Sequence, residues 1–429
     1  MSGNGRRERT PAGNIGPATD NGFMASPLPR SFTYLAGANF AAQSAEQLSL
    51  AAAPIVAVLL LGAGPGEIGF LATAQTLPFL LMSIPLGLVA DRTSRARLMR
   101  WAEVVRTLAL LALLAAVLCN RLSIGLLAVL GFVGAVGTVA FSVAAPAIVP
   151  ALVPREAFAQ ANGRLELVRS AAFAAGPALA GALVAWAGAS AAFVLAAVLS
   201  AAAVGLLLRL VEPPRTPAPA HRPLAALREG AALVWHDAML RPILLTAVAW
   251  NISWFVLQVA YVPYAMRMLG LSAGTVGITL ASYGVGMVVG ALLAPRVVAA
   301  MAFGRAIQFG PAVSVLAAAA MLLTLVYPVA ALAALAFFLF GAGPIIWTIT
   351  STTLRQTVTP GAMLGRVSAM FLTVNAGARP VGAALGGLVG AWWGEAACLW
   401  LASAGFVLQA VVIFASQVRT LRRLPVPVA

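Results

Sequence analysis

This chain of 429 residues reads as an all-α membrane protein, with twelve transmembrane helices laid out as two parallel six-helix repeats. An internal duplication is the first reason. Residues Pro154–Gly188 and Pro360–Gly394 align without a gap, 206 positions apart, with Pro154/Pro360, Gly176/Gly382, Leu179/Leu385, Gly181/Gly387, Trp186/Trp392 and Gly188/Gly394 identical. Each copy opens on a polar stretch read as a loop, PREAFAQANGR or PGAMLGRVSAM, and runs into a small-residue apolar helix, GPALAGALVAWAG or GAALGGLVGAWWG. Similarity half a chain apart in a membrane-type sequence marks parallel repeats. Composition is the second reason: 61% of residues are hydrophobic and 9% charged, against roughly 25% charged in a soluble domain. The third is the placement of the 27 basic residues, all of them Arg. Arg121 and Arg267 fall in connections on one side, and Arg106 and Arg379 fall inside spans. The rest occupy the tails and the connections 2–3, 4–5, 6–7, 8–9 and 10–11, or their edges, which share one side in a twelve-span chain. By the positive-inside rule that side, with both termini, is cytoplasmic. The net charge of +15 is therefore a topology signal and not a nucleic-acid surface.

The elements follow in order. Residues 1–30, rich in Gly, Pro, Asn and Arg, read as a disordered tail without a signal-peptide pattern. A span takes roughly 20 apolar residues. The first bundle, 31–210, supplies spans at 34–61, 67–90, 99–119, 123–149, 167–187 and 190–209. A linker, 211–240, begins VEPPRTPAPAHRP, too Pro-rich to continue a helix. It goes on as LAALREGAALVWHDAMLRP, whose apolar spacing predicts a short amphipathic helix along the cytoplasmic face. The second bundle, 241–416, supplies 241–266, 273–295, 306–326, 329–354, 367–391 and 396–416, and 417–429 is a tail. These continuous apolar runs lack the period-2 alternation of barrel strands. Cys119 and Cys398 read as two small apolar residues and not as a disulfide.

Polar residues inside the spans are the candidates for function. In span 1, Asn39, Gln43, Glu46 and Gln47 stand at i, i+4, i+7 and i+8 and share one helical face. An acid in hydrocarbon must face a cavity, find a partner or stay protonated, so Glu46 reads as a proton carrier or else a structural carboxyl. Arg379 in span 11 cannot shed its proton and needs an anion or carbonyls. It is a counter-charge to Glu46, a contact for an anionic substrate, or an internal anchor. In span 7, Asn251, Trp254, Gln258 and Tyr261 share a face suited to an amphipathic or aromatic ligand, or to core packing. Gly176, Pro177 and Gly181 allow close helix approach. A chain without Lys has neither a P-loop nor a Schiff-base lysine, and two His and two Cys far apart form no metal cluster. The expectation is no cofactor, no metal and no enzyme.

GLVADRTSRARLM, residues 87–99, resembles the loop signature of the major facilitator superfamily, Gly-x-x-x-Asp-Arg-x-x-Arg-x-Arg, and GPALAG, 176–181, resembles its antiporter motif. With TAQTLPFLLMSIPLGLVADR, VPREAFAQANGR and LREGAALVW, the chain from Phe32 to about Val418 resembles the exporter branch that includes siderophore and macrolide efflux proteins. The resemblance implies a monomer in the inner membrane that exports a small amphipathic molecule (drug, macrolide or siderophore) in exchange for protons, with an acid at the position of Glu46. It implies a gate at Gly87, Asp91, Arg92 and Arg95, where Asp91 latches a neighbouring helix in the outward-facing state, with Glu103 and Arg106 joining that network. It gives Gly176, Pro177 and Gly181 a role in state-dependent packing. It also implies a cavity lined by spans 1, 4, 7 and 10, to which span 10 would add Trp347, Thr348 and Ser351. Two departures stand out: span 4 lacks the Arg of many drug:proton antiporters, and the second loop copy, APRVVAAMAFGR, has Pro295 where an Asp is expected. An importer of the same fold and a non-transporting membrane sensor are the rival readings.

Overall fold

The computed structural model describes residues 29–154, 157–213, 223–361 and 363–425. The expected N-terminal tail up to residue 28 and the Pro-rich stretch 214–222 lie outside the described residues. The helices are α1 (Arg30–Leu61), α2 (Pro65–Arg92), α3 (Arg95–Leu118), α4 (Ile124–Leu152), α5 (Phe158–Ala187), α6 (Ala189–Leu208), α7 (Pro223–His236), α8 (Leu240–Arg267), α9 (Ala273–Ala300), α10 (Phe303–Leu323), α11 (Ala330–Val358) and α12 (Leu364–Ala415). Among the described residues, eleven are long and apolar enough to cross a membrane. The last of these, 52 residues long, breaks at Gly394 (φ 79°, ψ 179°) into two arms. Each arm exceeds the roughly 20 residues a crossing needs. Counted by arm, the twelve expected crossings are present.

Helix ends follow local chemistry. The Ser94, Ser123 and Ser272 hydroxyls accept from backbone N–H groups at the starts of α3, α4 and α9, which satisfies donors that a helix start leaves orphaned. Asp237 does the same for α8, accepting from Met239 and Leu240 N–H at 2.8 Å. Glu212, read from sequence as linker, reaches back to α3 and accepts from Ser94 Oγ at 2.6 Å and Ala96 N at 3.0 Å. Its charge sits at the favourable pole of that helix. The linker helix α7 lies against α8 and α12, with Val234 buried in a cluster with Leu240 and Val367 and an ion pair from Glu229 to Arg366 at 2.5 Å.

One reading of the duplicated segment needs correction. Both opening stretches read as loops are mostly helix, starting at Phe158 and Leu364. Past Pro154 and Pro360, which stop the preceding helices, neither stretch holds another proline until Pro177 and Pro380. In α5 the pair Glu166–Arg169 adds support at i, i+3.

The duplication is visible in the backbone. Gly188 (φ 80°, ψ 175°) and Gly394 (φ 79°, ψ 179°) make the same break 206 positions apart. Gly62 caps the end of α1, and Gly270 turns the chain three residues past α8, both at φ 65°. A positive φ of this kind is free for Gly and costly for other residues. The two bundles meet chiefly at two crossings, α2 against the first arm of α12 and α5 against α9. Equivalent glycines make both crossings. A Cβ built on Gly69 would lie 2.2 Å from Gly387 Cα, and one on Gly181 would lie 2.8 Å from Gly277 Cα. Gly181 and Gly387 are duplicates, so each repeat lends the same glycine to the other's second helix. Both crossings lie toward the end that is poor in Arg. There Arg267 also donates to Gly62 O at 2.6 Å and Ala63 O at 2.8 Å. At the Arg-rich end, Cβ atoms built on Gly87, Gly163 and Gly365 meet nothing within 4 Å. The bundles are thus locked together at one end by backbone contact that these glycines do not repeat at the other.

Candidate functional site

Between the bundles lies a cavity of about 440 Å³, within the usual size range of a small-molecule site. Its charged lining comes from four helices: Glu46 on α1, Arg106 on α3, Arg169 on α5 and Arg379 on the first arm of α12.

Glu46 stands at the edge of a buried network. Arg106 Nη1 donates to Glu103 Oε1 at 2.7 Å and to Ala42 O at 3.2 Å, and Nη2 donates to Thr138 Oγ1 at 2.7 Å. Glu103, wholly buried, accepts at its other oxygen from Ser200 Oγ at 2.8 Å. Arg106 Nη2 lies 3.9 Å from Glu46 Oε2. The close pair is therefore Arg106–Glu103, and Glu46 is a second, looser partner. This corrects two expectations. The ion pair nearest Glu46 is made by Arg106 and not Arg379, and Glu103 and Arg106 tie α1, α3, α4 and α6 together within the membrane instead of joining the Asp91 loop. The reason is register: Arg106 lies eleven residues along α3, about three turns from its start.

Arg169 was read as a span edge and is in fact well inside α5. It pairs with Glu166 (Nε to Oε2 2.9 Å) and stacks over the Phe173 ring at 5.3 Å. The E-x-x-R spacing was the available signal, hidden by starting span 5 too late. Arg379 lies over the Phe79 ring at 5.2 Å. Its Nε has no hydrogen-bond partner, and among the described residues no carboxylate lies within 4 Å.

The second bundle supplies the aromatic wall. Trp250 and Trp254 stack at 5.3 Å and 10°, and Trp254 meets Tyr283 at 4.7 Å. Asn251 and Gln258 line the cavity too. Tyr261, on the same stripe, does not. It is fully buried, with its hydroxyl 2.5 Å from Thr279 Oγ1 and its ring against Phe337. Depth is not the reason, since Val262, one residue further along, lines the cavity; Tyr261 turns instead into the packed contact of α8 with Thr279 on α9 and Phe337 on α11. Asn39, buried, and Gln43, half-buried, are displaced along α1 and do not line the cavity, whereas Glu46 and Gln47 do. Trp347 faces α10, where a Cβ on Gly310 would lie 2.4 Å from its Cβ. Thr348 and Ser351 bond to backbone of their own helix, and α11 reaches the cavity with Phe337. Gln75, Thr76 and Phe79 of α2 line it without having been anticipated.

The residues expected to form the gate divide. Gly176 packs on α1, a Cβ there falling 2.5 Å from Gln47 Cβ, while Pro177 O and Gly181 meet Gly277 across the bundle boundary. Gly87 faces open space, and Arg95 donates to Ala147 O on α4, within its own bundle. Arg92 is exposed. The side chain of Asp91 lies outside the described residues.

A multi-pass helical protein of two repeats around a charged, aromatic cavity has the architecture of membrane transporters. The family model described as Major Facilitator Superfamily matches residues 35–383, and the chain belongs to that superfamily. It is 32% identical over 254 residues to an uncharacterized MFS-type transporter, y4rN, of Sinorhizobium fredii, covering 56% of this chain and 60% of that one. It is 29% identical over 283 residues to the enterobactin exporter EntS of Citrobacter koseri, covering 66% of each. The matches thus span about three-fifths to two-thirds of these relatives' lengths. Its fold is similar to that of the nucleoside transporter NupG (TM-score 0.72, 14% identity, 90% of this chain and 98% of that one). It is also similar to a bacterial homologue of the iron transporter ferroportin in its inward-facing state (TM-score 0.71, 17% identity, 90% and 98%).

Proposed function

We propose that this protein is a proton-coupled secondary transporter that exports small amphipathic organic molecules by alternating access, with both termini in the cytoplasm. The observation that carries the reading is the cavity itself, with the bundles in close glycine contact at the Arg-poor end and Glu46 the carboxylate among its described lining residues. The positive-inside rule makes that closely packed end the outer one. The two bundles rock about the cavity: the glycine crossings part to expose it outward, and the Arg-rich ends close in turn. Glu46 carries the proton. When charged it is held by Arg106; when neutral it releases that guanidinium to Glu103 and Thr138, so the proton changes the bonding between α1 and α3. Export is supported by the GPALAG stretch and by the likeness to an exporter.

Import with proton and substrate moving together is a second reading, favoured by the charge count. Arg106 is matched by Glu103 and Arg169 by Glu166, which leaves Arg379 balanced by Glu46 alone. A proton on Glu46 leaves the cavity positive and so attracts an anion.

The test is flux in inside-out vesicles under an imposed pH gradient, with fluorescent amphipathic drugs and ferric siderophores, for wild type and Glu46→Gln. Gradient-driven uptake lost in the variant is the expected result. Full gradient-driven uptake by Glu46→Gln would remove Glu46 from the coupling role.

A further inference from the structure

We propose that the transported substrate is an organic carboxylate, its anionic group seated on Arg379 and its flat apolar body against Phe79, Trp250 and Trp254. The inference rests on the cavity being the transport site; the carboxylate seat does not depend on the direction of transport, whereas the coupling derived from it favours the second reading, cotransport, over the exchange proposed above. Arg379 is the cavity arginine for which no carboxylate lies within 4 Å among the described residues, and its Nε is buried without a partner. Arg106 and Arg169 are already committed, at 2.7 Å to Glu103 and at 2.9 Å to Glu166. A guanidinium offers donors in a planar fork and no acceptor, which matches a carboxylate and rejects an ammonium. The Phe79 ring fixes one face of that fork, and the stacked indoles of Trp250 and Trp254 offer a flat wall in the same cavity. Trp250 Nε1 is a second buried donor without a partner. Both unpartnered buried groups on the cavity wall are donors, and an anion supplies the acceptors they lack.

The same arrangement sets the sign of coupling. The charged or titratable groups around Glu46 are Arg106 and Glu103 on α3, Arg169 on α5, Tyr283 on α9 and Arg379 on α12. With Glu46 charged, Glu46, Glu103 and the half-exposed Glu166 that pairs with Arg169 outside the cavity balance the three guanidinia, and a substrate carboxylate adds an uncompensated negative charge. With Glu46 protonated, the substrate carboxylate restores the balance. Proton and substrate therefore bind together, and by linkage each tightens the other by the same factor. Upheld, this selects the cotransport reading over exchange.

The test is calorimetric titration of the full-length protein in detergent micelles with three probes of one shape: naphthoate, naphthylmethanol and naphthylmethylammonium. At about pH 5.5 and about pH 8 the acid probe stays ionised and the amine stays charged. We expect naphthoate to bind at least about tenfold more tightly than the alcohol, with the amine weakest. That preference should vanish in Arg379→Gln, checked for fold by circular dichroism. Naphthoate should bind more tightly at the lower pH in wild type, and equally at both pH values in Glu46→Gln. The proposal is overturned if the alcohol or amine matches naphthoate, if Arg379→Gln keeps the preference, or if none of the three binds. The transport reading fails separately: a naphthoate preference without flux in vesicles would sink transport and keep the site, whereas flux of an amine would keep transport and sink the carboxylate.

Discussion

Glu103 and Glu46 are both acids inside apolar helices, yet their surroundings give them different work. Glu103 is wholly buried, ion-paired at 2.7 Å and further bonded by Ser200, so it is fixed. Glu46 reaches the cavity and has its cation at 3.9 Å, so it is free to change state. Removing one partner of a buried ion pair costs about 3–5 kcal/mol, because the other charge stays buried. Glu103→Leu should therefore lower the unfolding temperature in detergent markedly. Glu103→Gln, which still accepts from Arg106 and can bond to Ser200, should lower it less. Equal melting temperatures for wild type and Glu103→Leu would show that Arg106 is not held by this pair. Glu46 was legible in the sequence because one acid in a long apolar run is conspicuous. Its partner was not, since periodicity says which residues share a face but not which helix lies opposite. Arg169 was missed for a humbler reason: a span boundary set nine residues late turned an intramembrane arginine into a surface one.

At the scale of elements, the helices and their order follow from apolar run length, and the duplication announced the equivalence of α5 and the first arm of α12. What the sequence withheld was the use of each small residue. Gly176 and Gly181, five positions apart in one motif, serve different contacts, the first within a bundle and the second between bundles. Shared face or resemblance points Tyr261 and Trp347 into the cavity, while the contacts with Thr279 and Phe337 and the neighbour at Gly310 put them elsewhere. The α2–α12 crossing yields a direct prediction. At Gly387 a built Cβ would lie 2.9 Å from Gly69 Cα, a backbone contact that cannot move aside as a side chain can. Gly387→Val should thus disfavour the state sealed at the Arg-poor end and expose the cavity there. With the exposed Cys119 changed to Ser and Cys398 buried, a cysteine at Gln258 reports the opening. A membrane-impermeant maleimide added on the Arg-poor side should label it several-fold faster in Gly387→Val. Unchanged labelling would mean that the crossing does not gate this end.

On the scale of the whole molecule, the two crossings are one device made twice. Gly181 meets Gly277 on α9 as its duplicate Gly387 meets Gly69 on α2, and the breaks at Gly188 and Gly394 share their dihedrals to within a few degrees. Two packed bundles behave as rigid bodies because close-packed interiors transmit strain instead of absorbing it. If so, the crossings cannot open one at a time: parting α2 from α12 swings α5 away from α9. Gly181→Val and Gly387→Val should then raise labelling at Gln258→Cys by similar factors, and the double variant should add little to either. Residues this far apart normally contribute independently, so additivity is the outcome expected of two separate local gates. Saturation by either single change is the outcome expected of one rocking motion. A double variant whose effect in free energy equals the sum of the singles would show that each crossing opens alone, and alternating access here would have to be built from flexing helices instead of moving bundles.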